Sequence, residues 1–200
     1  MKTFTDRDAV PEKARAILSS AVRVIAARGF EATRIEEVAR EAGVGKGTVY
    51  EYFDSKEELF ERAVEYATRM YLDMLLEALE SGSDLESSLR NVIVASLAFC
   101  ETNRHPARVL LDNPAGRAGE SVRDWVMGFR REMVAAIVYT IKTHRGGDFS
   151  HDPEVSANIF LGALNNLSLA RLLDDPEAGE PISDVADRAL DVLLEGLGRE

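Results

Sequence analysis

Apolar residues recur at intervals of three and four along almost the whole chain, and no stretch of useful length alternates between apolar and polar residues. This spacing places the apolar side chains on one face of an α-helix, whereas a half-buried strand would alternate. The first such stripe runs from Ala14 to Ile25, with Pro11 near its start and Gly29 after its end, as is typical of helix punctuation. The sequence therefore predicts an all-α fold.

Eight or nine helices account for the pattern. After the first, helices are expected over residues 33–42, 45–52, 55–74, 85–100, 122–141, 155–173 and 182–197, with a short apolar piece at 109–111. The tetrapeptides at 33–36 (TRIE) and 55–58 (SKEE) have the capping-box pattern that opens a helix. His105-Pro106 is expected to break a helix, and residues 112–120 are expected to form a loop.

The charge of the chain is uneven. The whole sequence carries a formal net charge of −11, which argues at first sight against a nucleic-acid-binding protein. Residues 1–56 hold 10 basic and 9 acidic side chains, whereas residues 57–200 hold 14 basic and 26 acidic ones. A nearly neutral head and an acidic body indicate two tasks, and we expect domains at 1–54 and 55–200. The alternative for the body is that its acidity only keeps the protein in solution.

Several functional classes find no support in the sequence. No apolar run approaches the length of a membrane span, and the charged N-terminus does not resemble a secretory signal, so we expect a cytoplasmic protein. The single cysteine, Cys100, excludes an intrachain disulfide, and three scattered histidines give no metal-ligand spacing. Because catalytic and cofactor motifs are missing as well, we expect neither an enzyme nor a bound cofactor.

The segment GVGKGT, residues 43–48, raises the question of a phosphate-binding loop. Such a loop must follow a β-strand, whose carboxyl end directs the backbone N–H groups at the phosphates. Here the glycines follow RIEEVAREA, an amphipathic helical stretch, and Lys46 precedes Gly47 where the Walker spacing needs the reverse order. A phosphate loop is therefore excluded.

The same segment fits the turn of a helix-turn-helix. Gly43 tolerates the positive φ of a tight turn, and the small Ala39 allows two helices to cross closely. Val44 and Val49 supply the apolar contacts that hold the second helix across the first. Such a helix pair places its second helix in the major groove of DNA.

The surroundings of this segment strengthen the hypothesis. Residues 29–60, GFEATRIEEVAREAGVGKGTVYEYFDSKEELF, closely resemble the signature of the TetR family of transcriptional repressors. The helix before them has the place and length of the first helix in that family. The resemblance covers about the first 60 residues. It implies a three-helix DNA-binding head followed by a helical body that dimerises and binds a small ligand.

By position, the resemblance makes residues 45–52 the recognition helix. Lys46 and Thr48 would face bases or nearby phosphates, and Tyr50 would donate its hydroxyl to a phosphate. The full set of expected DNA-binding residues is Thr33, Arg34, Gly45, Lys46, Gly47, Thr48, Tyr50 and Lys56. Thr33 could instead act only as a helix cap, and the lysines could be ordinary surface residues. Glu36 and Glu51 add negative charge near this face unless they point away from it.

The body contains bulky apolar side chains that can line an effector cavity or fill a solid core. Polar residues within apolar stripes, including Asn158 and Asn166, favour a cavity because a ligand could satisfy them. The expected effector-binding residues are Tyr71, Met74, Cys100, Trp125, Phe129 and Asn165. The acidity of the body indicates an apolar or cationic effector and argues against a polyanion.

The last two helices, 155–173 and 182–197, resemble the dimerisation pair of the family and would form an isologous four-helix interface. We therefore expect a homodimer that binds a palindromic operator and releases it when an effector shifts the fourth helix. The alternative is a helical ligand-binding or protein-interaction module whose head has lost DNA binding. The retained set of Lys46, Thr48, Tyr50 and Lys56 favours the regulator.

Overall fold

The computed structural model describes residues 10–104, 107, 120–145, 151–173 and 179–195. These residues contain eight α-helices and no β-strand, which confirms the all-α prediction. The helices are α1 (Glu12–Arg28), α2 (Ile35–Glu41), α3 (Lys46–Tyr52), α4 (Lys56–Glu80), α5 (Leu85–Thr102), α6 (Glu120–Arg145), α7 (Pro153–Leu173) and α8 (Ile182–Glu195). The expected break at 105–106, the apolar piece at 109–111, the loop before α6 and the end of the last helix lie outside the described residues.

The first three helices and the start of α4 enclose one apolar core, called here the head core. Its largest fully buried side chains include Ile17 of α1, Val38 of α2, Val49 of α3 and Phe53, which follows α3. Each helix thus turns one apolar stripe inward, as the spacing of its residues predicts. The head is consequently a small packed unit that leaves the outer face of α3 exposed.

A glycine in the left-handed conformation sets the angle between α2 and α3. Gly43 has a φ of 69°, and the N–H of the next residue, Val44, donates to the carbonyl of Ala39 at 2.9 Å. This bond closes the last turn of α2 and starts the chain in a new direction. The predicted turn at Gly43 is confirmed, and so is the burial of Ala39 and Val49 at the helix crossing.

The predicted capping box at the start of α2 is wrong. Arg34 occupies the N-cap position and makes no side-chain cap. The Thr33 hydroxyl instead donates to the carbonyl of Gly29 at 2.8 Å, and the side chain is only 4% exposed. The hydroxyl turns inward because the end of α1 offers it a carbonyl acceptor there.

The second predicted cap is present and opens the long helix α4. The Ser55 hydroxyl accepts the N–H of Glu58 at 3.0 Å, and the Glu58 carboxylate accepts the N–H of Asp54 at 2.6 Å. This helix of 25 residues is about 38 Å long. Its first half buries Leu59 and Ala67 in the head core, and its second half buries side chains from Tyr71 to Leu79 in the body.

The body core lies around α5, which packs against α4, α7 and α8, while α6 packs against α4 and α7. Within the described residues, α8 lies along α5 and not along α7. The expected dimer interface through the last two helices concerns a second copy of the chain and stays a prediction. An amphipathic helix has to bury its apolar face, but the spacing of its residues does not specify the helix that covers it.

Candidate functional site

The recognition helix α3 divides its residues between core and solvent. Val49 is 1% exposed and Phe53, just beyond the helix, is 1% exposed, whereas Tyr50 is 45% exposed. Gly45, Lys46 and Gly47 are also exposed, and Thr48 is half-buried. Phe53 is thus turned inward and Tyr50 outward. The outer face of α3 is thus open to a large partner.

An ion pair links this face to α2. The Lys46 Nζ lies 2.6 Å from Oε1 of Glu36, and both side chains are about half exposed. Their hydrogen bond raises the pKa of Lys46 and lowers the pKa of Glu36, because each charge is favoured by the other. The same Nζ lies 5.8 Å from the ring centroid of Tyr50. Glu36 therefore points at the reading face rather than away from it.

Lys56 is held at the start of α4. Its Nζ donates to the carbonyl of Glu31 at 3.1 Å and lies 4.5 Å from the ring centroid of Phe30. The Phe30 ring packs in turn on Phe60, with centroids 4.8 Å apart. A positive charge is thus fixed next to the N-terminal end of a long helix, where the backbone N–H groups also attract anions.

Seven of the eight expected DNA-binding residues have side chains or backbone at the surface, namely Arg34, Gly45, Lys46, Gly47, Thr48, Tyr50 and Lys56. Thr33 differs, because its side chain is buried and its hydroxyl proton is bonded to Gly29. The structure therefore does not bring the Thr33 hydroxyl to the surface with the others.

The direction of the Glu36 side chain could not be predicted from the sequence. Glu36 and Lys46 are ten residues apart and lie on different helices, so the three- or four-residue spacing of pairs within one helix does not apply to them.

A chain of buried hydroxyls crosses the body from α4 to α7. The Tyr71 hydroxyl lies 2.6 Å from the Ser96 hydroxyl, which lies 2.6 Å from the hydroxyl of Ser168. The Tyr71 ring packs against Phe99 and Phe129, with centroid distances of 4.9 and 5.7 Å. Burial raises the pKa of Tyr71 to about 12. We call these five residues the Tyr71 cluster.

Cys100 lies beside this cluster and is fully buried. Burial raises the pKa of its thiol to about 11, although a hydrogen bond with Ser168 acts in the opposite direction. The sequence pattern indicated Tyr71 and Cys100 but not Ser96 and Ser168. The only sequence signal for these two serines is that each stands on an apolar stripe, of α5 and α7 respectively. That signal does not identify them, because a serine at such a position can equally well lie at the surface.

The remaining expected effector residues are only partly assembled. Met74 and Phe129 are partly buried against the body core. Asn165 is exposed, because α7 buries Leu164 and Ser168 and so turns position 165 outward. The prediction that Asn165 faces an effector cavity is therefore wrong. The side chain of Trp125 lies outside the described part of the chain.

Metal sites and membrane spans are not found among the described residues. No group of three or more His, Cys, Asp or Glu side chains in those residues could hold a metal ion. None of their helices combines the length and the apolar character needed to cross a membrane.

Comparisons with known proteins agree with this geometry. Residues 17–63 match the family model described as "Bacterial regulatory proteins, tetR family". The HTH-type transcriptional regulator YhgD of Bacillus subtilis (strain 168) is 26% identical over 152 residues, which are 75% of this chain and 79% of that protein.

Two solved structures share the fold over nearly the whole length. The fatty acid degradation regulator FadR from Bacillus halodurans has a TM-score of 0.78 at 18% identity, covering 95% of this chain and 98% of that one. AibR, solved in complex with isovaleryl coenzyme A and operator DNA, has a TM-score of 0.71 at 22% identity, covering 93% of this chain and 100% of that one. Residues 17–63, which span the N-terminal helices, thus match the TetR family of bacterial regulatory proteins, and the likeness to the solved structures extends the shared fold to the body.

Proposed function

We propose that this chain is a ligand-responsive repressor that releases its operator when a small molecule binds the body. The observation that carries the proposal is that one continuous helix, α4, is buried in both cores. Leu59 and Ala67 belong to the head core, and Tyr71 and Leu79 belong to the body core. A shift of α4 caused by a ligand in the body must therefore move the head. A coupling of about 1–3 kcal/mol between the two sites is enough for regulation.

The DNA-binding surface is the outer face of α3 with the ends of its neighbours. Lys46, Thr48 and Tyr50 contact bases or phosphates in the major groove, and Gly45 and Gly47 let the backbone approach the sugar–phosphate rim. Arg34 and Lys56 contact the backbone on either side. Thr33 has a supporting role, since its bond to Gly29 fixes the segment that leads to Arg34. The division at 54/55 is retained because the Ser55 cap starts α4 there.

The operator is proposed to be palindromic because two copies of the chain bind it. Large apolar side chains are exposed on α6 and α7, including Met127, Tyr139, Val155 and Ile159. These two helices pack together, and the groove between them contains Met127, Tyr139 and Val138. We place the dimer interface on this face. The proposed interface keeps α7, which the sequence also indicated, and uses α6 instead of α8. The two recognition helices would then reach successive major grooves about 34–36 Å apart.

The effector is proposed to bind at the Tyr71 cluster. The cluster consists of neutral side chains. This supports an apolar group, and not a cationic one, for the part of the effector that enters the body. AibR provides a related case, since its structure holds isovaleryl coenzyme A. The known relatives regulate transcription, so the proposal includes no catalytic step, and it places the protein in the bacterial cytoplasm, where the DNA is.

Selection from a randomised duplex library tests the proposal, because such a library can contain the operator whatever its sequence. The expected result is enrichment of an inverted repeat, with binding that weakens steeply as salt rises. Lys46→Ala with Tyr50→Phe should abolish enrichment, while Arg188→Ala, which removes an exposed basic side chain of α8 outside the proposed interface, serves as the control. The alternative, a ligand-binding module with an inactive head, predicts no enrichment with the unaltered chain either.

The effector response is tested on the enriched duplex. Operator affinity is measured with and without saturating isovaleryl coenzyme A and a medium-chain fatty acid as probes. A loss of affinity with either probe supports the repressor mechanism. Unchanged operator affinity at proven saturation of the body would contradict the coupling through α4.

A further inference from the structure

A cleft of about 250 Å³ opens where the head meets the body. Its walls come from α1, α4 and the C-terminal end of α5, together with the two residues that follow α5. The side chains used in the argument are Val22, Arg23, Tyr66, Met70, Phe99 and Arg104. No sequence pattern indicates a site at this place.

The cleft spans the joint between the two cores. Val22 of α1 belongs to the head core, and Phe99 of α5 packs against the body core. Ala67 of α4, at the end of the head core, lies between them in the lining. Any molecule that fills the cleft therefore contacts head and body at once.

The charges of the lining are unusual for this acidic chain. Arg23 and Arg104 both face the cleft, and the lining includes no carboxylate among the described residues. Residues 57–200 nevertheless hold 26 acidic side chains. Arg23 also pairs with Glu41, which lies outside the lining, but two guanidinium groups with no carboxylate in the lining itself still favour an anion over a cation.

Both guanidinium groups are fixed by protein acceptors. Arg23 donates through Nε to Glu41 at 3.1 Å and through Nη2 to Ser20 at 3.0 Å. Arg104 donates through Nη2 to the carbonyl of Leu172 at 2.6 Å. A guanidinium has five N–H donors in a planar fork that matches carboxylate and phosphate oxygens. Fixed arginines lose little further entropy when they bind such an anion.

The rest of the cleft is largely apolar. Met70 is 41% exposed at the opening, and Val22 and Phe99 form the inner surface. The Phe99 ring lies 4.9 Å from the Tyr71 ring, so the inner wall of the cleft is also the outer wall of the Tyr71 cluster. A ligand with both an anionic end and an apolar part satisfies the two arginines and covers these side chains.

We infer that this cleft binds a small amphipathic anion, a carboxylate or phosphate on a short apolar chain, and that the bound anion fixes the head relative to the body. The consequence for DNA rests on the proposed function, whereas the binding itself does not. The Tyr71 cluster takes the apolar end of an effector, and the arginine cleft supplies a recognition element for its charge. The expectation that the effector is apolar or cationic is thereby replaced, at this cleft, by an anion.

Calorimetric titration of the full chain tests the inference with four ligands that share a decyl chain: decanoate, decyl phosphate, decanol and decyltrimethylammonium. The two anions should bind at least about tenfold more tightly than the neutral and cationic ligands, since each charge-assisted bond is strong when its donors are fixed. The tighter of the two anions identifies the head group. Equal affinity for decanol and decanoate would overturn the inference.

Variants locate the site. Arg23→Gln and Arg104→Gln should each weaken decanoate binding by about tenfold. Arg90→Gln, on α5 but bonded to Asp187 outside the cleft, should leave it unchanged. Because Arg104→Gln removes the bond to Leu172, Met70→Glu provides a variant that adds a negative charge at the exposed opening without loss of packing, and it should weaken decanoate binding as well. If none of the three cleft variants affects binding, the anion lies elsewhere and the inference is wrong.

Operator binding measured on the same samples separates the two proposals. If the chain binds its selected operator but no decyl anion, the proposed function is supported and the anion-binding cleft is contradicted. If the chain binds decanoate through Arg23 and Arg104 but selects no operator, the cleft is supported and the repressor function is contradicted.

Discussion

The ammonium nitrogen of Lys46 lies 2.6 Å from a carboxylate oxygen of Glu36, across the turn that joins α2 to α3. Both groups are about half exposed, on the face that the proposal presents to DNA. A phosphate can reach Lys46 only by replacing Glu36 or by sharing the lysine with it. Glu36 therefore competes with DNA for the one lysine of α3, in a head whose net charge is close to zero.

Removing this competitor should strengthen non-specific binding. Glu36→Gln keeps the length of the side chain and removes its charge, so we expect about a few-fold higher affinity for random duplex at low salt. The slope of log K against log salt should become steeper by about one, because one more lysine displaces counterions. Fluorescence anisotropy across a salt series measures both. Glu132→Gln, which removes one of two carboxylates that pair with Arg69 in the body, is the matched control.

The head could be anticipated from the sequence because its rules are local. Gly43 is needed for a left-handed turn, and Val49 and Phe53 follow the period of a helix that has one apolar face. Thr33 shows where local rules end, since a threonine before a helix can cap it or bond to an earlier carbonyl. The position of the Gly29 carbonyl decides between the two, and that position depends on how α1 packs.

The body was harder to anticipate because its contacts join distant parts of the chain. Ser96 and Ser168 are 72 residues apart and share a hydrogen bond that no spacing in one sequence indicates. Asn165 stood in an apolar stretch, yet the helix turns it to solvent. Arg23 and Arg104 meet at one cleft only because α4 holds α1 and α5 at a fixed distance from each other.

Loss of a phosphate contact should be visible in the salt dependence. Lys56→Ala is expected to reduce the slope of log K against log salt by about one. It should weaken binding to random and to selected duplexes by the same factor, because a contact to the DNA backbone carries no sequence information. The control is Arg188→Ala, which removes an exposed positive charge of α8 outside the proposed dimer interface. An unchanged slope for Lys56→Ala would mean that the lysine only ties α4 to Phe30 and Glu31.

Two glycines of the helix-turn-helix should respond differently to alanine. Gly43→Ala forces a β-carbon into a φ of 69° and should destabilise the fold by about 1 kcal/mol. Gly47→Ala meets no atom within 4 Å and lies within α3, so stability should be equal or higher. The second variant should instead weaken operator binding, because its methyl group lies on the face toward the DNA. Urea unfolding and anisotropy on both variants separate these effects.

The position of the dimer interface can be tested with one charge. Ile159 of α7 is 59% exposed and Val192 of α8 is 49% exposed, so neither residue is needed for the core. Ile159→Glu should shift sedimentation from dimer to monomer, since it places a charge in the proposed α6–α7 interface, and Val192→Glu should not. The reverse result would restore the last helix to the interface and displace α6 from it.

The thiol of Cys100 should report on the closure of the body. Below pH 9, a pKa of about 11 in place of 9.0 lowers the thiolate fraction about a hundredfold relative to the unfolded chain, and burial excludes the reagent as well. Native protein at pH 8 should therefore react with a disulfide reagent at least about a hundredfold more slowly than protein in urea. The same shift makes folding less favourable as the pH rises from 9 towards 11, because only the unfolded thiol ionises there, and Cys100→Ala should remove that part of the alkaline loss. Rapid stoichiometric labelling of the native chain would mean instead that the body opens widely enough to expose α5 at its centre.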